Sequence, residues 1–183
     1  MDAAFERQLL IDGDTLRLRP IRSDDLEPLY AVASDPLLWA QHPAKSRSQR
    51  PVFEGWFAGA LAERALVFEA CADGRVLGSS RYYDWRPWAR DVAIGYTFIA
   101  RDRWGGKVNR ELKGLMLEHA FRFVDRVWFH VNPDNHRSQQ AMAKIGGVVS
   151  HTGMHAIGRE APAEFVFFRI DAPDWRAANT AAG

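Results

Sequence analysis

The stretch from Val92 to Phe123 leaves few folds open, because an apolar strand-like run, VAIGYTFIA, passes through RDRW into a Gly-Gly turn and then straight into an amphipathic helix. From Asn109 onward, Leu112, Leu115, Met116, His119, Ala120 and Phe123 recur at helical spacing, while Arg110, Glu111, Lys113 and Glu118 are expected to face water. Gly105 and Gly106 let the backbone turn so that successive N–H groups converge ahead of the helix, where helix dipole and unpaired amides favour a phosphate. Lys107 adds a full positive charge. Such a turn can also be a plain connector. It matches neither G-x-x-x-x-G-K-[ST], since Val108 follows Lys107, nor G-x-G-x-x-G, which disfavours the familiar nucleotide loops.

With 183 residues, 47% of them hydrophobic, the chain can build one substantial core, and a single domain over residues 1–183 is expected. A net charge of +1 points away from nucleic acid and towards a small partner. No apolar run reaches membrane-spanning length, and MDAAFERQLL lacks the pattern of a signal peptide, so a cytoplasmic protein without membrane contact is expected. The single cysteine, Cys71, rules out an internal disulfide and is expected to be a buried thiol.

Along the chain, TLRLRP (15–20) reads as a half-buried strand, and Ser23 as the cap of a helix carrying Leu26, Leu29, Tyr30 and Ala33 inward until Asp35-Pro36. Residues 37–50 read as a long loop and Val52 to Leu61 as a second helix. ALVFEACA and VLGSSRYY flank Asp73-Gly74 as a hairpin, and DWRPWARD leads to the strand at 92–100. In that connection Trp85 and Trp88 either cover the core edge or, with Arg86, wall a pocket. Gly95 suggests a bulge or a close ligand approach. RVWFHV (126–131) is a strand, NPDN a turn, and Ser138 opens a helix ended by Gly146-Gly147. Strands at 148–156 and 163–170, joined by a loop containing Gly158, close the fold before a polar, alanine-rich tail from Asp171. The order β-α-α-β-β-β-α-β-α-β-β gives an α/β (α+β) fold: a mixed central sheet of about seven strands flanked by about four helices.

Three blocks in register, VAIGYTFI (92–99), WGGKVNREL (104–112) and NPDNHRSQQAMAKIGG (132–147), resemble the GNAT superfamily of acyl-CoA-dependent N-acyltransferases, in particular the Rim-type branch that acetylates ribosomal-protein N-termini. The resemblance implies a GNAT-like sheet and acetyl-CoA as acyl donor. It places the pantetheine arm along Thr97, Phe98 and Ile99 and the diphosphate at Trp104, Gly105, Gly106, Lys107, Val108 and Asn109, with Asn135, Ser138 and Lys144 beside the arm. A strand edge can take the amides of the arm as a short added strand. Read without the resemblance, Asn135 ends a turn, Ser138 caps a helix and Lys144 is a surface charge.

Departures from the family pattern bear on the chemistry. Lys107 stands where a second glycine is common, Asn109 where a small residue is common, Gly147 where phenylalanine is usual, and Met142 where many members carry the tyrosine that protonates the leaving thiolate. Ser138 takes that role in this reading. For the base, His130, Asp84 and Asp91 are candidates by location, beside a water relay; a weak base suits an α-amine with pKa near ~8 better than a lysine amine near ~10.4. The acceptor, a small-molecule or peptide amine, is expected between residues 37–50 and the loop around Trp85, against Trp39, His42, Tyr82, Tyr83 and Trp85; the surrounding Lys45, Arg47, Arg50 and Arg86 argue against a polyamine. No metal is expected, since His151 and His155 on a strand stand roughly 13 Å apart. His155 either lines the acceptor pocket or faces solvent. A catalytically weak acyl-CoA-binding domain, a longer donor such as succinyl-CoA, a nucleotide-binding enzyme and a homodimer all stay open at this point.

Overall fold

The chain begins with two short strands, β1 (Ile11–Asp12) and β2 (Leu16–Pro20), seen in a computed structural model that describes residues 5–157 and 161–180. Then come α1 (Leu26–Ala33), α2 (Arg50–Ala62), β3 (Leu66–Ala70), β4 (Val76–Arg86), β5 (Asp91–Ile99), α3 (Val108–Ala120), β6 (Arg126–Val131), α4 (His136–Lys144), β7 (Val148–His155), β8 (Ala163–Asp171) and α5 (Ala172–Thr180). Among the described residues this makes an eight-stranded mixed sheet, ordered β1-β2-β3-β4-β5-β6-β8-β7, with five α-helices. β5 and β6 pair in parallel, over Asp91 to Ala93, while β6, β8 and β7 pair antiparallel. The expected α/β class holds, as does the element order from β2 to β8, to which the structure adds β1 and α5. Among the described residues no helix is long and apolar enough to cross a membrane.

The chain divides into two compact units, Glu6–Arg81 with Tyr96–Leu115, and Met1–Phe5 and Tyr82–Gly95 with Met116–Gly183. The first has a core of Leu29, Leu38, Trp39, Phe53, Phe57, Val67 and Phe98. Its β4 passes so near β5 that a Cβ on Gly78 would lie 2.0 Å from the Phe98 carbonyl oxygen, so this place in the strand excludes a side chain. Glu111, expected in water, instead accepts the backbone N–H groups of Thr15 (2.7 Å) and Leu16 (3.0 Å) as well as the Thr15 hydroxyl, and so anchors the start of β2 to α3. In the second unit Tyr82, Val92, Ile94, Met116, Leu117, Val127, Phe129 and Ile170 are buried.

Other local expectations change for identifiable reasons. Ser23 caps nothing: Ser23–Asp25 is a 3₁₀ turn, and Asp25 is buried because Arg19 grips both its oxygens (2.7 and 2.8 Å) while the Arg22 N–H donates to it (2.7 Å). The stretch 37–50 is not plain loop, since it holds 3₁₀ turns at Pro36–Trp39 and Lys45–Ser48. Cys71 is exposed, because β3 ends one residue earlier and the thiol lies in the turn. Trp88 is 81% exposed and covers no core. Gly95 makes room for a ring, as its Cβ would stand 2.8 Å from Tyr83; the left-handed residue is the next one, Tyr96. The tail after Asp171 forms α5, and the Gly158 loop lies outside the described residues.

Candidate active site

In the second unit, three strands that are not adjacent in the sheet, β4, β6 and β7, gather a polar cluster from distant parts of the sequence. β6 carries His130 opposite Phe167 of β8, β7 ends in His155, and β4 carries Tyr83 and Asp84, the latter with a left-handed φ of 48° that asparagine and aspartate tolerate better than most. His155 Nε2 lies 2.8 Å from Asp84 Oδ2, and His130 Nδ1 lies 2.9 Å from the Tyr83 hydroxyl. The two imidazoles meet edge to face at 4.6 Å, and the Phe167 ring lies 4.6 Å from His130. Burial, followed by the electrostatic influence of His155, pushes the His130 pKa down to about 4, so at neutral pH its ring is uncharged. With Nε2 donating to the carboxylate, the neutral form of His155 has its lone pair on Nδ1, the arrangement of an oriented general base. One donor atom from each of Asp84, His130 and His155 falls within 4.8 Å of the others, so this trio could hold a metal ion; the His155–Asp84 hydrogen bond already satisfies two of the three without one.

The glycine turn belongs to the first unit. Gly105 takes a left-handed φ of 74°, and α3 starts at Val108 with Glu111 N–H donating to the Lys107 carbonyl at 2.9 Å. Gly105, rather than Gly106, is the position whose backbone disfavours a side chain; a Cβ on Gly106 would only touch the Arg103 oxygen at 3.7 Å. Lys107 is exposed, and Trp104 donates its indole N–H to the Ile99 carbonyl at 2.9 Å, bracing the turn against the end of β5. Phe98 buries its ring among Trp39, Phe53 and Trp56, so it offers backbone alone to a ligand. Beneath Thr97 lies Lys113, which is 2% exposed and not in water as its helical position suggests. Its ammonium donates to Thr97 Oγ1 at 2.7 Å and Ser80 Oγ at 3.4 Å, and burial lowers its pKa to about 7.

At α4, back in the second unit, the cap is Asn135 and not Ser138: the Asn135 side chain accepts the Ser138 N–H at 3.2 Å. Ser138 therefore keeps its hydroxyl for other uses, from a half-buried position in the first helical turn, whereas Lys144 is exposed at the far end. Asp91 is no base, because Arg86 (2.8 and 2.5 Å) and the Trp128 indole (3.0 Å) occupy both its oxygens.

The residues expected to meet the acceptor divide. Trp39 is a core side chain whose indole donates to the Ala33 carbonyl at 2.7 Å, and Tyr82 is buried with its hydroxyl on the Met116 carbonyl at 2.6 Å; neither presents a surface to an acceptor. His42 is half-buried and accepts the Ala44 N–H on Nδ1. Trp85 is partly exposed beside Phe5, and Tyr83 belongs to the histidine cluster.

The family model described as Acetyltransferase (GNAT) domain matches residues 15–148. This chain is a member of the GNAT acetyltransferase family. Solved structures share the fold at low identity: a GCN5-related N-acetyltransferase from Brucella melitensis (17% identity, 99% of this chain and 88% of that one, TM-score 0.82) and a probable GNAT-family acetyltransferase from Chromobacterium violaceum (19%, 96% and 92%, TM-score 0.83). Mycobacterium smegmatis RimJ, solved with CoA-disulfide, is also similar (19%, 91% and 89%, TM-score 0.69). No curated protein matches the sequence significantly. GNAT enzymes use acetyl-CoA, and this GNAT chain is an N-acetyltransferase.

Against the GNAT pattern, Met142 is buried, and a Cβ on Gly147 would stand 3.0 Å from the Met142 carbonyl oxygen, a tight contact that the helix end would have to yield to. The sequence left His155 between the acceptor pocket and solvent, with no partner named, and Arg81 was passed over. His155 meets Asp84 across 71 residues, a separation no local window spans. Arg81 did carry a signal, as a lone charge inside the run VLGSSRYY.

Proposed function

We propose that this protein transfers the acetyl group of acetyl-CoA to a primary amine, an N-terminal α-amine or a small amino compound, in the manner of the Rim-type branch. The observation that carries this reading is the His155–Asp84 pair, a base and its orienting carboxylate 2.8 Å apart beside a neutral His130. His155 Nδ1 takes the proton of the acceptor ammonium, directly or through water, and the freed nitrogen attacks the thioester carbonyl carbon. As the C–S bond breaks, the Ser138 hydroxyl gives its proton to the sulfur and regains one from the newly acylated nitrogen, which becomes the neutral amide; a thiol pKa near ~8.5 makes this assistance modest. The N–H groups of residues 104–109 and Lys107 hold the diphosphate, the backbone of Thr97, Phe98 and Ile99 receives the pantetheine amides, and Asn135 and Lys144 complete the donor contacts. Tyr83 and Trp85 face the acceptor in this reading. The basic residues Lys45 and Arg47 favour a peptide or amino-acid-like amine over a polyamine.

Calorimetry with acetyl-CoA and CoA release over a panel of amines test the proposal. Gly106→Asp should abolish acetyl-CoA binding through its charge, since its Cβ has room. His155→Gln should cut kcat by about a hundredfold while leaving acetyl-CoA affinity in place. Unchanged turnover in folded His155→Gln removes the base assignment, and unchanged affinity in folded Gly106→Asp removes the diphosphate site.

A further inference from the structure

Arg81 lies within β4 at 9% exposure, and its buried Nε has no hydrogen-bond partner. Among the described residues no carboxylate pairs with it. Its guanidinium sits over the Tyr96 ring, with the central carbon 3.4 Å from the ring centroid, and Tyr96 itself holds a left-handed φ of 52° in the middle of β5. The adjacent hydroxyls are committed elsewhere, Ser79 donating to the Leu66 carbonyl at 2.9 Å and Ser80 pairing with Thr97 at 2.8 Å. A ring face compensates only in part for the hydration a buried cation gives up, so a guanidinium whose Nε is kept dry and unpaired costs stability that an anion would restore.

Position says which anion. The diphosphate loop follows Ile99, so a donor arm running back along β5 passes Thr97 and reaches Tyr96 at its acyl end; this step rests on the function proposed above. A phosphate is already provided for at the loop, and what arrives at the other end is the acyl group and the amine. We infer that Arg81 binds a carboxylate there, carried either by the amine acceptor or by a dicarboxylic acyl group on the donor. Its planar fork of N–H donors matches a carboxylate with two parallel hydrogen bonds, and a buried donor left empty by an uncharged analogue is penalised strongly.

Two arms separate the sources. In the first, calorimetry compares succinyl-CoA with butyryl-CoA; in the second, kcat/KM with acetyl-CoA is compared for amino acids and short peptides against their C-terminal amides. A preference of at least about tenfold for the carboxylate in either arm is expected, and Arg81→Met should reduce it to within about twofold. Arg81→Met keeps an unbranched stem against Tyr96, and Arg81→Lys, which keeps the charge without the fork, should retain only part of the preference. A preference that survives in folded Arg81→Met overturns the inference, as does the absence of any preference in the wild-type protein that still binds acetyl-CoA. Should the Met variant not fold, the wild-type and Lys comparisons decide by the same criterion. Loss of acetyl-CoA binding in the wild-type protein would instead overturn the function on which the inference rests, and the inference with it.

Discussion

Replacing Lys113 by methionine should stabilise the protein at neutral pH, and the gain should vanish in alkali. Burial lowers the pKa of this ammonium from 10.5 to about 7 in the folded chain, while in the unfolded chain it keeps its ordinary value. Below pH 7 both states hold the proton, and stability has no slope from this group. Between pH 7 and 10.5 the unfolded state binds a proton that the folded state does not, so stability rises with pH; above 10.5 the slope ends. At about 1.4 kcal/mol per pH unit, the interval from 7 to 10.5 corresponds to about 5 kcal/mol. Methionine has nearly the same length and no charge, but it forfeits hydrogen bonds to Thr97 and Ser80, worth about 2 kcal/mol together. Those two hydroxyls keep each other at 2.8 Å. The net expectation is a gain of about 3 kcal/mol at pH 7. Urea unfolding of both proteins from pH 6 to pH 10 measures the difference free of the other titrating groups. A difference flat across that range would mean that Lys113 ionises normally in the folded chain, and the reasoning from burial would be refuted.

Ser138→Ala should lower kcat by about tenfold or more with acetyl-CoA affinity nearly unchanged, because Asn135 rather than Ser138 caps α4; steady-state kinetics beside calorimetry reads this, and a loss of thermal stability at normal kcat would show a structural serine. Gly78→Ala should cost about 3 kcal/mol in chemical denaturation, since its methyl would meet the Phe98 carbonyl at 2.0 Å and the Phe68 ring at 2.7 Å; wild-type stability would show that β4 and β5 separate easily there.

What could be read in advance follows the range over which each signal acts. RVWFHV is a short run rich in β-branched and aromatic residues that ends at NPDN, and β6 occupies those same residues, Arg126–Val131. The Gly-Gly turn and α3 are equally local, and appear with the helix one residue earlier than its spacing suggests. Helical periodicity assigned Lys113 and Glu111 to water, yet each answers a need set by another element: one lies under Thr97, and the other takes the N–H groups that begin β2. The helix α5 was hidden by composition, since its alanines and polar residues form no apolar stripe around Trp175, although Asp171, Pro173 and Asp174 already spell a helix start. In the candidate site, His130 and Asp84 could be placed by their strands. Their joining through Tyr83 and His155 depends on strand register, which the order of elements leaves undetermined.

The Glu111 tether also bears on how the chain is made. The partners it joins are 96 residues apart, so on a ribosome the opening N–H groups of β2 emerge long before the carboxylate that will receive them. Until α3 has been synthesised, those groups have water or a mistaken partner to bond, and an early strand with open donors is a template for pairing with other nascent chains. The last hydrogen bonds of one of the first strands are thus completed only after the glycine turn and the helix behind it exist, which makes assembly of this part of the protein wait on translation rather than on local folding speed.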